Sequence, residues 1–331
     1  VAIARVTPPR GACRPRVTLL PPPWTCSVYA KEFFTSGHET PWGDAIRFCG
    51  GGSAPVRRFF VENALYWIQE FRFDGLRLDA VHAIFDSGER HILEELAGEV
   101  RKAVEQEAGS QEAGSLKAGS QEAASPAAPR HVSLVLENDD NQAKFLGHIQ
   151  TGKATETTGE TTAKGAGGEE RRASYDAQWN DDAHHIYHHL LTGEEGGYYR
   201  DYVKRPQNKL AQALGQGFVY TGQPSPFRGG ASRGEPSGHL NPAAFVDFLQ
   251  NHDQVGNRAM GERIHELCSR EAVAAATAVL LLSPSVPLLF MGQEWGSRQP
   301  FPFFCDFSGE LAAAVTQGRR REFAAFPRFQ D

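Results

Sequence analysis

The chain has 331 residues, of which 40% are hydrophobic and 22% charged, and its net charge is -6. This length suits one large domain or two smaller ones. The acidic balance argues against a nucleic-acid binder, since such proteins usually carry a clustered basic excess. The longest apolar stretch, residues 272–292, is interrupted by Ser and Pro at 283–287, so we expect no membrane-spanning segment.

The cysteines and the first residues of the chain indicate the cellular compartment. The five cysteines are odd in number and widely spaced, and no C-x-x-C pair occurs among Cys13, Cys26, Cys49, Cys268 and Cys305. They indicate neither a zinc site nor a disulfide framework, and the cytoplasm is the expected compartment. Residues 1–28 lack the apolar core of a signal peptide, and we predict an unstructured lead-in there.

Helix and strand patterns alternate along the rest of the chain. The stretch "FFVENALYWIQEF" predicts a helix, and Gly75 marks a turn into a strand over 76–81. The elements predicted after it are a helix over 88–104, a strand over 131–139, helices near 181–191 and 208–214, strands over 217–222 and 245–253, a helix over 270–282 and a strand over 286–295. Strands separated by helices predict a parallel sheet with helices outside it.

Two segments interrupt this pattern. Residues 105–130 contain near-repeats of Gln-Glu-Ala-Gly-Ser, and residues 151–173 are rich in Thr, Gly and charge. Neither has enough apolar side chains to offset the entropy of ordering, so both are predicted to be flexible surface insertions. The alternative for each is a binding tail.

Acidic residues follow three of the predicted strands. Asp79, Glu137 and Asp253 each come at the end of an apolar stretch. In a β/α barrel the C-terminal strand ends form the active-site face, so these carboxylates are predicted to converge. Arg77 lies on the same face as Asp79, two residues away. Taken alone, that pair also suits an internal ion pair that holds the core.

Paired carboxylates are the groups that hydrolysis of a glycosidic bond needs, one as an ionised nucleophile and one as a proton donor. Arg77 beside Asp79 favours the ionised form there. Apolar residues precede Glu137, so a drier setting is expected to keep that carboxyl protonated. Asp253 and His252 have side chains that can hydrogen-bond to sugar hydroxyls.

The stretches "DGLRLDAVH", "LEND" and "NHDQ" resemble three of the four conserved regions of the α-amylase superfamily of glycoside hydrolases. The resemblance implies an α/β fold, a partial (β/α)8 TIM barrel like strands four to eight of such a catalytic domain, over residues 29–331. It implies a retaining mechanism without a cofactor or metal. Asp79 would be the nucleophile, Glu137 the general acid/base and Asp253 the transition-state stabiliser. The substrate-binding residues would be Arg77, His82, Trp179, Asn180, Asp181 and His252.

Two longer stretches, "YDAQWNDDAHHIYHHLLTGEEGGYY" and "GEPSGHLNPAAFVDFLQNHDQVGNRAMGERI", resemble the trehalose-releasing members of that superfamily. The implied substrate is maltooligosyl trehalose or a related α-glucan, cleaved at the α-1,4 bond next to the trehalose end. The first conserved region of the superfamily has no counterpart in this sequence. Two alternatives therefore stay open: another α-glucan enzyme such as a branching enzyme, and an inactive fragment that binds glucan.

Two further features have competing interpretations. The pairs His184/His188 and His185/His189 have the i, i+4 spacing of metal ligands, but no H-E-x-x-H glutamate lies between them. We expect them to line the sugar cleft instead. Trp295 suits either a sugar platform or a core aromatic residue.

Overall fold

The structure, a computed structural model, describes residues 3–4, 30–40, 43–117, 130–147, 175–303 and 306–326. The predicted insertion over 151–173 lies outside these ranges, as does the lead-in apart from residues 3–4. The chain divides into two units: unit 1 is Val1–Asp139 with Phe145–Gln178, and unit 2 is Asp140–Lys144 with Trp179–Asp331. Within the described ranges no helix is both long and apolar enough to cross a membrane.

Unit 1 is built on parallel strands with helices between them. Strand β4 pairs in parallel with β5, and β5 pairs in parallel with β6, while the short β1 pairs antiparallel with β4 and β2 with β3. The elements in chain order are β1 (Ile3–Ala4), β2 (Phe34–Thr40), β3 (Gly43–Ile46), α1 (Ser53–Gln69), β4 (Gly75–Leu78), α2 (Ile92–Lys117), β5 (Ser133–Leu136) and β6 (Ala177–Trp179).

The register of β4 against β5 positions the first two predicted acids. Leu76 lies opposite Leu134, and Leu78 lies opposite Leu136. Every residue of β4 is buried. Gly75 is required at the start of β4, since a Cβ there would lie 2.5 Å from the carbonyl oxygen of Ser133. Because both strands end level with each other, the residues that follow them, Asp79 and Glu137, emerge side by side.

Unit 2 repeats the alternation of helices and parallel strands. Its elements are α3 (Asp181–Thr192), α4 (Pro206–Gln216), β7 (Phe245–Phe248), α5 (His252–Gly256), α6 (Ile264–Leu267), α7 (Arg270–Leu282), β8 (Val286–Leu288) and α8 (Gly309–Glu322). Strands β7 and β8 are parallel, with Val246 opposite Val286. Its core includes Ile186 of α3, Leu249, which directly follows β7, and Leu280, which lies on α7. Both units therefore have the predicted α/β arrangement, and the single catalytic domain over 29–331 stays a prediction.

The strand predicted over 217–222 is wrong. The residues there form bends and irregular backbone after α4. Their amide groups find side-chain acceptors instead of a neighbouring strand: Phe218 N–H donates to Ser237 Oγ at 3.0 Å, and Val219 N–H donates to Asp182 at 2.7 Å. The buried Asp182 carboxylate thus accepts a hydrogen bond that a neighbouring strand would otherwise accept. A pattern of apolar residues does not reveal such a partner.

Helix α2 differs from the prediction at its C-terminal end. It runs to Lys117, so residue 105 is not an element boundary and the first half of the predicted insertion is helical. The Gln, Glu and Ala of its near-repeats are good helix formers, and they carry the helix past Gly109 and Gly114. The rest of that segment, up to residue 129, lies outside the described residues.

Candidate active site

In unit 1, Arg77 joins the two carboxylates that emerge from β4 and β5. Its guanidinium forms an ion pair with Asp79 and a second one, 2.7 Å long, with Glu137. The Arg77 side chain is 4% exposed, that of Glu137 17% and that of Asp79 36%, so the cation lies beneath two carboxylates that face outward. The hydrogen-bond donors of Arg77 are fixed in a planar fork, which suits carboxylate partners.

The Glu137 side chain is 17% exposed against 36% for Asp79, in line with its predicted drier setting, and its protonation stays a prediction. Its Oε2 contacts the Arg77 guanidinium and accepts a hydrogen bond from the Ala80 N–H at 3.0 Å. The apolar residues that precede it belong to β5, and the carboxyl group extends beyond them.

Asp79 and Glu137 interact directly, and their environments differ. Burial alone would raise the pKa of Asp79, but the charge of Arg77 and hydrogen bonds with Glu137 and Arg77 outweigh it and lower this pKa below its ordinary value. The lowered pKa favours the ionised form of Asp79.

The backbone after Asp79 is held in a strained conformation. Ala80 has φ 47° and ψ 42°, in the left-handed region that residues with a Cβ seldom adopt. Its N–H donates to the Glu137 side chain, and the next N–H, of Val81, donates to the Glu137 carbonyl at 3.0 Å. The turn thereby ties the end of β4 to Glu137. Such strain clusters at functional sites.

His82 follows the same turn and lies partly exposed. Its Nδ1 accepts a hydrogen bond from the Asp139 N–H at 3.3 Å. The neutral ring then carries its proton on Nε2, which is the arrangement of a donor toward a hydroxyl group.

In unit 2, Asp253 lies in α5 rather than at the end of a strand. Strand β7 ends at Phe248, and Asp253 is the second residue of α5. Asn251 caps this helix, since its side chain accepts hydrogen bonds from the N–H groups of Asp253 and Gln254. His252 Nε2 lies 3.3 Å from Asp253 Oδ2. The cap and the histidine together fix a carboxylate whose side chain is 35% exposed.

Three of the predicted residues lie together in unit 2. The Trp179 ring lies 6.0 Å from that of His252, which in turn contacts Asp253. Trp179 and Asp181 are each only 8% exposed.

Asn180 does not have the place that the sequence predicts. It is fully buried, and its side chain caps α3 by accepting from the Ala183 N–H. Its Nδ2 donates to Asp247 at 2.9 Å and to the Gly217 carbonyl at 3.1 Å. With both ends of the amide engaged inside the protein, Asn180 shapes the site and is not in position to bind substrate.

Sequence reasoning missed the buried network around Asp182, the neighbour of Asp181. Asp182 accepts hydrogen bonds from Asn141 at 2.9 Å and from the backbone of Val219 and Tyr220, and it forms an ion pair with Arg233 at 2.9 Å. No spacing rule marks these partners, because they are far apart in sequence. The available signal was the second acid in "WNDD", whose carboxylate holds the loops.

The histidines of α3 have packing and hydrogen-bonding partners. His184 Nδ1 lies 2.9 Å from the Leu249 carbonyl, and His188 Nε2 lies 2.8 Å from Glu194. The His185 ring stacks on Tyr198 at 4.3 Å. Within the described ranges, no group of three or more His, Cys, Asp or Glu side chains could hold a metal ion. Trp295 is 76% exposed, so the core interpretation of that residue is wrong.

Comparison with known proteins identifies relatives of this chain. The chain is 36% identical over 296 residues to the malto-oligosyltrehalose trehalohydrolase of Saccharolobus solfataricus, which covers 89% of this chain and 44% of that protein. A 55-residue stretch, 17% of this chain, is 42% identical to a 1,4-alpha-glucan branching enzyme of Corynebacterium efficiens. A scan against models of known protein families finds no match.

A solved structure gives the same result for the fold. The crystal structure of a Salmonella typhimurium protein assigned as an alpha amylase superposes with a TM-score of 0.71 at 39% identity, over 89% of this chain and 43% of that one. The predicted fold class, part of an α-amylase-type (β/α)8 barrel, is confirmed. The chain spans less than half the length of the curated relative given above. Over most of its own length the chain is similar to part of the malto-oligosyltrehalose trehalohydrolases and to part of a protein assigned as an alpha amylase.

Proposed function

We propose that this chain carries the catalytic carboxylates of a retaining α-glucoside hydrolase that releases trehalose from maltooligosyl trehalose. The observation that carries the proposal is the pair of Asp79 and Glu137 on one buried guanidinium, which favours the ionised form of Asp79. Retaining glycosidases need a division between a nucleophile and an acid.

Each residue has a role in the proposed reaction. Glu137 protonates the glycosidic oxygen while Asp79 attacks the anomeric carbon, and a glycosyl ester forms on Asp79 as trehalose leaves. Glu137, now ionised, takes a proton from water, which attacks the ester and frees Asp79. Asp253 would hold the hydroxyl groups of the reacting sugar more tightly as positive charge develops on its ring. No step calls for a cofactor or a metal.

Retaining enzymes keep their two carboxyl groups about 5 to 5.5 Å apart. The same separation is proposed for Asp79 and Glu137 in the reacting protein, with Arg77 bound beneath both. His82, His252, Trp179 and Asp181 are the proposed contacts to the sugar. Asn180 is excluded by its burial. The cytoplasm stays the proposed compartment.

The mechanism is tested by trapping the ester. Glu137→Gln is incubated with 5-fluoro-α-glucosyl fluoride, and the digested protein is analysed by mass spectrometry. The proposal predicts a glucosyl adduct on the peptide that contains Asp79, and none in the Asp79→Asn variant. An adduct on another carboxylate, or inversion at the anomeric carbon of a cleaved substrate, would contradict it. A glucan that binds without any cleavage would favour the inactive binding fragment, and new α-1,6 branches would favour a branching enzyme.

A further inference from the structure

Asp247 is a buried carboxyl group on β7 that takes no part in the proposed reaction. The residue is only 1% exposed, and it forms no ion pair with the residues that the structure describes. Burial raises the pKa of this carboxyl above its ordinary value, although two hydrogen bonds lower it. A buried carboxyl group without a cationic partner is costly, and an apolar side chain would avoid that cost. Its presence is therefore explained better by what it holds than by stability alone.

The Asp247 carboxyl group accepts hydrogen bonds from side chains of two other elements. Asn180 Nδ2 donates to Oδ1 at 2.9 Å, and Ser285 Oγ donates to Oδ2 at 2.6 Å. Asn180 is the N-cap of α3, and Ser285 directly precedes β8. One carboxyl group thus connects β7 with the start of α3 and with the start of β8.

Asn180 is held through both its backbone and its side chain. Its N–H donates to the Val246 carbonyl at 2.9 Å, its Oδ1 accepts from the Ala183 N–H at 3.3 Å, and its Nδ2 also donates to the Gly217 carbonyl at 3.1 Å. Apart from Asp247, these partners are backbone groups, which a substitution does not remove. Asp247 is therefore the partner through which the sequence controls where Asn180 lies.

The residue before Asn180 is Trp179, a proposed contact to the sugar. Consecutive residues of a strand face opposite sides, so Asp247 and Phe248 project from opposite faces of β7. The Phe248 ring lies 5.5 Å from the Trp179 ring, while the Asp247 carboxyl group holds Asn180. Two consecutive residues of β7 thus fix two consecutive residues at the start of α3.

Trp179 connects this anchor to the candidate site. Its ring also lies 6.0 Å from that of His252, and His252 Nε2 lies 3.3 Å from Asp253 Oδ2. A displacement of Asn180 would carry Trp179 with it and change the packing around His252. Misplacement of groups around a reacting centre by about 1 Å can cost on the order of a hundredfold in rate.

We infer that Asp247 is a positioning residue of the proposed reaction: by holding Asn180 it sets the indole of Trp179 against His252, beside Asp253. The inference rests on the proposed function for its effect on the reaction. The place of the Trp179 ring is a property of unit 2, and it can be measured without turnover.

Fluorine NMR of the whole chain, produced with fluorotryptophan, measures the place of that ring. The resonance of Trp179 is assigned by its loss in Trp179→Phe. Asp247→Leu removes both acceptors and should move this resonance by more than its linewidth. Asp247→Asn keeps an acceptor for Asn180 and offers an amide to the Ser285 hydroxyl, which can accept as well as donate, so it should restore the position found in the parent.

The resonance of Trp295, which is 76% exposed, is the internal control and should stay in place throughout. A Trp179 resonance that Asp247→Leu does not move overturns the inference. A resonance that Asp247→Asn moves as far, or a shift that Trp295 shares, overturns it as well, because neither depends on the hydrogen bond to Asn180.

A milder pair of variants covers the case in which Asp247→Leu does not fold. Ser285→Ala removes one of the two donors to Asp247 and should move the Trp179 resonance less far in the same direction. Ser283→Ala is the matched control, since the Ser283 hydroxyl donates to the Val279 carbonyl at the end of α7, and it should leave the resonance in place. Thermal melts are recorded for each variant. Equal spectra for the parent and Ser285→Ala would contradict the anchor.

Trehalose release separates this inference from the proposed function. Asp247→Leu should lower kcat/KM about a hundredfold, and Asp247→Asn should recover most of that loss. A moved Trp179 resonance with unaltered kcat/KM overturns the positioning role and leaves the proposed function. A moved resonance in a chain whose parent releases no trehalose supports the anchor on Trp179 and rejects the proposed function.

Discussion

Asp79 is the proposed nucleophile, and its environment has a consequence for stability. Because its pKa is below the ordinary value in the folded protein, the folded state is favoured above the ordinary pKa near 3.9, and this contribution is lost as the pH falls through the lowered pKa. We therefore predict that the melting temperature of the parent falls more steeply between about pH 5 and pH 3 than that of Asp79→Asn.

The measurement is a series of thermal melts across that pH range. Asp44→Asn, at an exposed position of β3, is the control and should follow the parent. Parallel curves for the parent and Asp79→Asn would mean that the ion pair with Arg77 does not hold Asp79 ionised, and the assignment of the nucleophile would lose its support.

At the scale of elements, the turn after β4 holds Ala80 in a strained left-handed conformation, and in this conformation its N–H donates to Glu137. A left-handed conformation costs a residue with a Cβ about 1 to 2 kcal/mol, and Gly removes that cost but adds about 0.5 to 1 kcal/mol of entropy loss on folding. Ala80→Gly should therefore stabilise the protein by about 0.5 to 1 kcal/mol in denaturant unfolding. Ala83→Gly, three residues on and outside the left-handed region, should destabilise it.

A destabilised Ala80→Gly would show that the left-handed turn is not strained. If the prediction is right, the added freedom of the backbone should also loosen the link from the Ala80 N–H to Glu137. The variant would then be more stable and less active, which is the exchange expected where strain positions a catalytic group.

The sequence predicts these elements unevenly, for physical reasons. The juxtaposition of Asp79 and Glu137 could be predicted because each directly follows a short buried strand, and level parallel strands bring their ends together. Asp253 is expected at a strand end from the sequence but lies in α5. The reason is that Asn251 caps a helix there, which the pattern of apolar residues does not predict. The roles of Asn180 and Asp182 depend on partners far away in sequence, such as Asp247 and Arg233, and no local pattern carries that information.

At the scale of the whole molecule, unit 2 exposes apolar side chains on α7, on β8 and at Met291, three residues after β8. Leu282 is 85% exposed, Met291 53%, Leu281 50% and Val286 43%. Apolar side chains exposed to this degree favour association if they form one patch. We predict that the chain by itself self-associates, and that Leu282→Lys raises the yield of monomer in size-exclusion chromatography with light scattering.

Leu280→Lys is the matched comparison, because Leu280 lies on the same helix and is fully buried. It should abolish folding instead of improving solubility. A parent chain that is monomeric at high concentration, or a Leu282→Lys variant that aggregates as much as the parent, would contradict this account of the exposed surface.

Release of trehalose from maltotriosyl trehalose is the direct test of the proposed function. The whole chain, at high concentration and over a long incubation, is given maltotriosyl trehalose, and the products are separated by chromatography. The account predicts equimolar trehalose and maltotriose, formed more slowly than by the longer relatives, and no trehalose with Asp79→Asn or Glu137→Gln. Products that consist of glucose or branched glucan without trehalose, or trehalose release that survives Asp79→Asn, would contradict it.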